Sequence, residues 1–264
     1  MGKIDGKVVW ITGASSGIGE ALTYELDKKR CKLILSSRKN EELELVRNNC
    51  QNPNNIKILA LDLLDFEGAP NITEQAWSSF GTIDYLINNA GISQRSLIAE
   101  TEFEIYKKLI DVNYLGTVAL TKALLPYFIR QNNGHFVTVT SLMGKFSSPY
   151  RSGYCGAKHA LHGFFDGLRM EHEKDGVNVT LICPGFVQTN VAINALTGDG
   201  KPQNQEDEKT KNGLPPNIFA KRMISAIEKE KFEAYIGKKE VSGIYLKRFF
   251  PRMLHKVVLR SDVR

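Results

Sequence analysis

Residues 12–19 read Thr-Gly-Ala-Ser-Ser-Gly-Ile-Gly, directly after the apolar residues 8–11 and before a stretch with helical periodicity. Glycines between a strand and a helix let the backbone turn sharply and approach a pyrophosphate, which binds at the positive end of the helix. A simple strand–helix turn would also explain such a stretch. The flanking strand and helix favour a dinucleotide-binding turn.

The alternation of strand and helix continues along the chain. Apolar strands are predicted at residues 8–11, 32–36, 56–61, 83–87, 136–140 and 177–182. Strands that are apolar throughout are typical of a parallel sheet covered on both faces. The pattern predicts an α/β fold, a doubly wound, Rossmann-like parallel sheet of about seven strands with helices on both faces. The 264 residues suit one catalytic domain, 1–264.

Two helix starts carry recognisable sequence signals. Thr101-Glu102-Phe103-Glu104 predicts a capping box at the start of a long helix. Ser148-Pro149 predicts an N-cap followed by proline at the first helical position, opening a helix to about Glu173.

Charge is concentrated near the C-terminus. Residues 221–264 carry 12 Lys/Arg against 5 Asp/Glu, whereas the remainder carries 23 against 24. This distribution argues against a nucleic-acid-binding face on the core. The four cysteines form no C-x-x-C pair, which favours free thiols and no metal site. No stretch approaches the ~18 apolar residues of a membrane span, and the start of the chain shows no signal peptide, so a cytoplasmic protein is expected.

The second predicted strand ends in Ser37-Arg38-Lys39. An enzyme that uses NAD commonly has Asp or Glu here to hold the ribose 2′-hydroxyl. Arg38 instead suits bidentate pairing with the 2′-phosphate of NADP(H). The alternative is that Arg38 is an ordinary surface cation.

Tyr154 and Lys158 lie four residues apart in a predicted helix and therefore share one face. Lowering a tyrosine pKa from about 10 to about 7 requires about 4 kcal/mol. An ammonium ~5 Å away supplies about 3 kcal/mol at an effective dielectric constant near 20. The pair is thus predicted to act as an acid/base with Lys158 lowering the tyrosine pKa, although an ordinary amphipathic helix face has the same spacing.

Two further polar residues are candidates for the same chemistry. Ser141 follows the fifth strand, where its hydroxyl could bind a carbonyl opposite Tyr154, although serines are also common in strand-end turns. Asn113 lies within a predicted helix, where asparagine is a poor helix former. That placement indicates either a local water-mediated role or a tolerated defect.

Together, TGASSGIG, NNAG, Asn113, Ser141 and YCGAK resemble the short-chain dehydrogenase/reductase family over about residues 5–190. Residues 194–200 further resemble its lipid- and ketone-reducing dehydrogenase/reductase branch. The resemblance implies a catalytic set of Asn113, Ser141, Tyr154 and Lys158. It implies cofactor binding by Gly13, Ser15, Ser16, Gly17, Ile18, Gly19, Ser37, Arg38, Lys39, Asp62, Leu63, Asn89, Ala90, Gly91, Tyr154, Lys158, Pro184, Gly185, Val187 and Thr189. It implies a substrate pocket shaped by Met143, Gly144, Phe186 and residues 191–215, and a homodimer or homotetramer.

These features predict an oxidoreductase that transfers a hydride between NADP(H) and a carbonyl or secondary alcohol of a lipophilic small molecule. An NAD-dependent alcohol dehydrogenase and a non-catalytic NADPH sensor are the alternatives. The intact Ser141, Tyr154 and Lys158 argue against a sensor, which would not need them.

Two segments outside these motifs remain open. The polar residues 190–217 are interpreted either as a mobile substrate loop over the site or as a plain surface excursion. The basic, amphipathic tail 241–264 would place Leu246, Phe249, Phe250, Met253 and Val257 on one helical face, with Pro251 interrupting the helix. We favour packing of this face on protein, with weak membrane-surface contact as the alternative.

Overall fold

Parallel pairing of buried strands organises the chain. The computed structural model describes residues 2–261, and its seven-stranded sheet has the order β3-β2-β1-β4-β5-β6-β7. The strands are β1 (Val8–Thr12), β2 (Lys32–Ser37), β3 (Ile56–Ala60), β4 (Tyr85–Asn88), β5 (Gly134–Val139), β6 (Val177–Pro184) and β7 (Glu233–Ile236). Each neighbouring pair is parallel. The predicted doubly wound α/β fold is confirmed.

Helices lie on both faces of this sheet. They are α1 (Gly17–Lys28), α2 (Asn40–Asn48), α3 (Ala69–Ser78), α4 (Phe103–Ile110), α5 (Gly116–Arg130), α6 (Ser152–His172), α7 (Glu208–Lys211), α8 (Pro216–Glu228), α9 (Ser242–Phe249) and α10 (Pro251–Arg260). Val9 and Ile11 of β1 pack with α1, α2 and α8. Val8 and Trp10 point to the other face and pack with α3, α5 and α6. Alternate residues of one strand therefore anchor the two helical layers.

The strand order reverses between β1 and β4. From β1 the chain adds β2 and β3 on one side, and it then returns to add β4 on the other. Loops that leave β1 and β4 diverge at this point, which creates a crevice at the carboxyl edge of the sheet. The glycine turn after β1 and the Asn89-Ala90-Gly91 segment after β4 both lie at this edge.

The two predicted helix starts are wrong in detail. Tyr150 has a φ of +66°, so α6 begins at Ser152 with Arg151 as its N-cap, after the predicted Ser148-Pro149 start. Thr101 does not cap α4: its hydroxyl donates to the Leu97 carbonyl at 2.7 Å, and α4 begins at Phe103. At α6 a long-range contact between Arg151 and Asp207 replaces the local pattern, whereas at α4 the Thr101 hydroxyl is taken by the preceding turn.

Candidate active site

Close approach between the ends of β1 and β4 explains the glycines of the first turn. Gly13 has a φ of +65°, and a Cβ on it would lie 2.8 Å from the Ala90 Cα. A Cβ on Gly19 would collide with the Gly13 carbonyl oxygen. Glycine is therefore required at both positions by the backbone itself.

Hydrogen bonds from Thr12 and Asn89 hold the two strand ends together. The Thr12 hydroxyl accepts from the backbone N–H of Asn89 at 3.0 Å and of Ala90 at 3.1 Å. The Asn89 side-chain amide donates to the carbonyls of Thr12 and Gly13. The structure thus brings Gly13, Asn89 and Ala90 together, and it adds Thr12, which the motif reasoning did not single out.

The start of α1 fits an anionic group. Within residues 2–261, no side chain caps the helix, whose N-cap is Ser16. The first backbone N–H groups of a helix have no intrahelical partner and can bind an anion. Ser15 and Ile18 lie beside these groups in the chain. A groove of about 520 Å³ adjoins this end, lined in part by Ser16, Gly17 and Thr189. An uncapped N-terminus beside a glycine cradle suits a dinucleotide diphosphate.

Ser37, Arg38 and Lys39, at the end of β2, differ in whether their side chains are already bonded to other residues. The Ser37 hydroxyl accepts from the Lys39 N–H at 3.0 Å, which fixes the turn. The Lys39 ammonium pairs with Glu42 at 2.6 Å. Arg38 is exposed, and no ion pair joins it to another of the described residues. Arg38 is therefore the cation available to a ligand at this strand end.

Two predicted adenine contacts follow β3. Asp62 is exposed, and its carboxylate accepts from the Leu64 N–H at 3.1 Å. Leu63 is buried and lies against Gly116 at the start of α5, where a Cβ would strike it. Asp62 is accessible to a ligand, whereas the Leu63 side chain is used in packing.

Asn113 lies in a π-helical turn, Asp111–Leu115, between α4 and α5. Its side-chain oxygen accepts from the Ile92 N–H at 2.9 Å, and its amide donates to the Ile92 carbonyl at 3.0 Å. The side chain is thus occupied in holding the segment after β4. These contacts use one of the two N–H donors of its amide, so the water-positioning role expected of Asn113 stays a prediction.

Ser141, Tyr154 and Lys158 converge beside this segment. The Ser141 hydroxyl lies close enough to Tyr154 to oppose the rise of its pKa, and it accepts from the Met143 N–H at 3.0 Å. The Lys158 ammonium donates to the Val139 carbonyl at 2.9 Å and lies 5.8 Å from the centre of the Tyr154 ring. A Cβ on Gly91 would lie 3.5 Å from that ammonium. Asn113, Tyr154 and Lys158 therefore lie beside the segment at Gly91 and Ile92, with Ser141 next to Tyr154.

The predicted lowering of the Tyr154 pKa by Lys158 is wrong, whereas its predicted role as acid and base stays a prediction. Burial raises the pKa of Tyr154, while the hydrogen bond from Ser141 and the charges of Arg95 and Arg151 oppose the rise. Burial also lowers the pKa of Lys158 to about 8. The simple Coulomb estimate considered attraction between the two charged forms and omitted the cost of burying each of them.

A cavity of about 360 Å³ lies next to this cluster and is lined mainly by apolar side chains. Met143 and Phe186, which were predicted to shape the substrate pocket, contribute to its wall. Ser141, predicted to be catalytic, and Pro184 and Gly185, predicted to bind the cofactor, also line it. Gly144 is buried, and a Cβ on it would lie 2.9 Å from the His162 ring and 3.0 Å from the Lys158 carbonyl, so it permits close packing on α6.

Four buried polar side chains near this cavity were missed by sequence reasoning. The Gln94 side-chain oxygen accepts from the N–H groups of Gly153 and Tyr154 and so fixes the start of α6. Arg95 and Arg151 both pair with Asp207. Gln94 and Arg95 come shortly after the Asn-Asn-Ala-Gly segment, and that position was the available signal.

The 190–217 segment is attached to the domain by hydrogen bonds. Arg95 N–H donates to the Leu196 carbonyl at 2.8 Å, and Leu214 N–H donates to the Phe186 carbonyl at 2.8 Å. Val187 is buried beside Leu214 and forms a β-bridge with it. Lys209 of α7 lines the cavity.

The tail forms α9 and α10 on either side of Pro251. Leu246, Leu254 and Val258 pack against Leu142 and Phe146 in a small apolar cluster. The predicted single apolar face is therefore divided, because the break at Phe250 reorients the helix. Two residues of the predicted face, Leu246 and the partly exposed Val257, line the cavity. The other three residues of that face are exposed to solvent: Phe249, Phe250 and Met253. Residues 262–264 of the predicted tail lie outside the described residues.

A family model described as short chain dehydrogenase matches residues 7–199. The chain belongs to the short-chain dehydrogenase/reductase family. Dehydrogenase/reductase SDR family member 7 of Homo sapiens is 49% identical over 198 residues, covering 73% of this chain and 58% of that protein, less than two thirds of its length. The SDR family protein 7-like of Drosophila melanogaster is 34% identical over 271 residues, covering 99% of this chain and 82% of the relative.

Solved structures of the family share this fold. A short-chain dehydrogenase from Streptomyces avermitilis is 27% identical, with a TM-score of 0.82 and coverage of 97% of this chain and 98% of that chain. A short-chain dehydrogenase/reductase from Burkholderia phymatum in complex with NAD superposes with a TM-score of 0.85 over 96% of each chain at 22% identity, a likeness of fold alone.

The described residues contain neither a membrane-spanning helix nor a cluster of metal ligands. No helix among residues 2–261 has both the length and the hydropathy needed to cross a bilayer. The same part of the chain contains no group of three His, Cys, Asp or Glu side chains placed to hold a metal ion.

Proposed function

We propose that this protein is an NADP(H)-dependent oxidoreductase that reduces the carbonyl group of a lipophilic substrate, or oxidises the corresponding alcohol. The observation that carries the proposal is the convergence of Ser141, Tyr154 and Lys158 at the carboxyl edge of the sheet. Ser141 also lines the apolar cavity, and Lys158 lies beside Gly91, which follows the Asn89-Ala90 segment at the glycine turn.

The residues of the crevice fit a nicotinamide dinucleotide. Ser16 and Gly17 present backbone N–H groups to the diphosphate, while Asn89 keeps the turn rigid through its hydrogen bond to the Gly13 carbonyl. Lys158 is placed to bind ribose hydroxyls, because its ammonium is buried with one carbonyl partner at 2.9 Å. A bound nicotinamide supplies or accepts the hydride, and the protein provides geometry and electrostatics.

The catalytic roles follow from the hydrogen-bonding groups. In the reductive direction Tyr154 Oη donates a proton to the carbonyl oxygen, and Ser141 Oγ donates a second hydrogen bond to it. Preorganised donors aimed at an oxygen that gains negative charge stabilise the transition state. Lys158 favours the tyrosinate that is left. Asn113 positions the segment at Ile92 and thereby the floor of the site.

Arg38 supports a preference for NADP(H). It is exposed at the end of β2, where no carboxylate side chain follows the strand directly. A guanidinium pairs with a phosphate in bidentate fashion, and the 2′-phosphate is the group that distinguishes NADP(H) from NAD(H). One similar solved structure is a complex with NAD and another is a complex with 5-hydroxy-NADP, so family likeness alone does not decide between the two cofactors.

A titration of NADPH and NADH, followed by calorimetry, tests this assignment. We expect wild type to bind NADPH at least 10-fold more tightly, and Arg38→Ala to lose most of that preference. Lys39→Ala is the matched control, because Lys39 already pairs with Glu42. Equal affinity for the two cofactors in wild type would make an NAD-dependent alcohol dehydrogenase the better assignment. Tight NADPH binding with no turnover on a panel of ketones and aldehydes would favour a sensor.

Three further properties are proposed with the enzyme. The exposed Phe249, Phe250 and Met253, next to Lys247 and Arg248, suit weak contact with an anionic membrane surface. A cytoplasmic location and a homodimeric or homotetrameric state are also proposed. Sedimentation with anionic vesicles, cell fractionation and light scattering measure these properties.

A further inference from the structure

Two guanidinium groups share one buried carboxylate beside the proposed active site. The side chains of Arg95, Arg151 and Asp207 are 6%, 7% and 3% exposed. Arg95 Nε lies 3.1 Å from Asp207 Oδ2, and a second nitrogen of Arg95 bonds the same oxygen. Arg151 reaches that oxygen from a longer distance, 3.3 Å. The cluster therefore contains two positive charges, on Arg95 and Arg151, and one negative charge, on Asp207.

Arg151 carries most of this imbalance. Arg95 holds Asp207 closely and also donates to the Gln94 carbonyl and the Ser93 hydroxyl. Arg151 has one further hydrogen bond, to the neutral Ser148 hydroxyl at 3.1 Å. Burial, followed by repulsion from Arg95, lowers the pKa of Arg151 to about 10 despite Asp207. A buried cation that is incompletely paired gains free energy when an anion reaches it.

The cavity gives an anion access to Arg151. Arg151 forms part of the wall, together with Lys209 and Lys239. Glu240 is the carboxylate of the described lining, and its oxygen already accepts from two backbone N–H groups. Arg151 and Lys239 are thus two cations against this one carboxylate, within largely apolar walls.

The position of Arg151 relates this charge to the reaction. Arg151 is the N-cap of α6, and Tyr154 follows three residues later on the same side of the helix. Ser141 lines the same cavity as Arg151. A ligand whose carbonyl oxygen lies at Ser141 and Tyr154 can therefore extend a second polar group to Arg151.

We infer that the cavity selects carbonyl substrates that also carry an anionic oxygen group, a carboxylate or a phosphate, and that Arg151 recognises this group. The inference rests on the proposed function, since it assigns the far end of the same substrate. It makes Arg151 a specificity-determining residue, distinct from the groups that act on the carbonyl.

Three matched ketones test the inference: 5-oxodecanoic acid, its neutral methyl ester and 5-oxodecyl phosphate. Wild type is expected to reduce at least one of the two anions with a kcat/KM about 10- to 100-fold above that of the ester, the usual gain from hydrogen bonds to a charged group. The acid and phosphate arms distinguish the two sources of anion. A wild type that reduces the ester as well as either anion overturns the inference.

Variants test the role of Arg151 itself. Arg151→Gln should bring the anion-to-ester ratio to about 1, whereas Arg151→Lys keeps part of the preference because it keeps the charge. Lys122→Gln, an exposed lysine on α5, is the control and should keep the wild-type ratio. If Arg151→Gln does not fold, a wild-type ratio in Arg151→Lys overturns the assignment.

Binding measurements separate this inference from the proposed activity. Calorimetry with the same three compounds reports anion recognition without turnover. An anion that binds more tightly than the ester, with no ketone reduced, supports the anion site while refuting carbonyl reduction. Reduction of all three ketones at equal efficiency supports the activity and refutes the anion site.

Discussion

Replacing Lys158 by methionine should change stability and activity in opposite directions. Lys158 is 5% exposed, and its ammonium donates to the Val139 carbonyl at 2.9 Å. Burial lowers its pKa from 10.5 to about 8. The charge that the reaction uses is therefore held at a cost to the folded state.

The magnitude follows from that shift. A decrease of roughly 2.5 pKa units corresponds to about 3 kcal/mol of destabilisation at pH 7. Because the folded pKa is the lower one, this penalty is fully present below about pH 8 and declines as the pH rises towards 10.5. Methionine removes the penalty but leaves the Val139 carbonyl without its donor, a cost of about 1–3 kcal/mol. The expected net effect on the free energy of unfolding at pH 7 lies between no change and a gain of about 2 kcal/mol.

Urea unfolding without cofactor, at pH 7 and at pH 9.5, measures this effect, and NADPH-dependent reduction measures activity. We expect kcat/KM to fall at least about 100-fold, the scale of a lost acid–base contribution. The stability advantage of Lys158→Met should shrink at pH 9.5. Lys122→Met, on the exposed face of α5, serves as the control, with a change within about 0.5 kcal/mol. A loss of more than about 1 kcal/mol in Lys158→Met would refute the reasoning about the buried charge.

Three other substitutions test separate parts of the account. Gly13→Ala forces a Cβ to 2.8 Å from the Ala90 Cα at a φ of +65°, so it should cost about 1–3 kcal/mol of stability and most of the NADPH affinity. Gly156→Ala, whose Cβ would lie in open space on α6, is the control and should stabilise the protein by about 0.5–1 kcal/mol. Thermal unfolding compares the stabilities of the two variants, and calorimetry compares their NADPH affinities. Burial alone would raise the pKa of Glu233, but hydrogen bonds from three side chains outweigh burial and lower the pKa to about 2. The stabilisation from its carboxylate is therefore present above about pH 4.5 and is lost as the pH falls towards 2. Glu233→Gln should flatten the acid end of the curve of stability against pH, and an unchanged curve contradicts this. Leu254→Ala removes a buried side chain of α10 and should cost about 2–5 kcal/mol in chemical unfolding, while a loss below about 1 kcal/mol would show that the tail does not pack as described.

The fold was predictable because each buried strand is apolar and is followed by a helical pattern. The missed strand, β7, has only four residues and carries Glu233 and the half-buried Tyr235, so it lacks the continuous apolar run of the others. It pairs only with β6 at the edge of the sheet, where a short strand is sufficient.

Local signals failed where distant residues determine the geometry. Arg151 and Tyr150, not Ser148, determine the start of α6, because Arg151 is held by Asp207 more than 50 residues away. The side chain of Asn113 pairs with Ile92, a contact that no spacing rule predicts. The direction of the Tyr154 pKa depends on burial, which one sequence does not reveal.

The spacing of the glycine turn and of Tyr154 and Lys158 did predict which residues meet. The two strand ends at the switch point bring the turn beside Asn89 and Ala90, and one helix face carries both Tyr154 and Lys158. Contributions from Gln94, Arg95 and Asp207 required the three-dimensional arrangement, because Gln94 acts on the start of α6 and Arg95 pairs with Asp207 in the distant 190–217 segment.

The central claim is that Tyr154 acts as the proton donor to a carbonyl in a site that binds NADPH. The most direct test compares wild type and Tyr154→Phe for NADPH affinity and for carbonyl-dependent NADPH oxidation. We expect the variant to bind NADPH within about threefold of wild type and to lose at least about 100-fold in kcat. Full turnover by Tyr154→Phe would contradict the account.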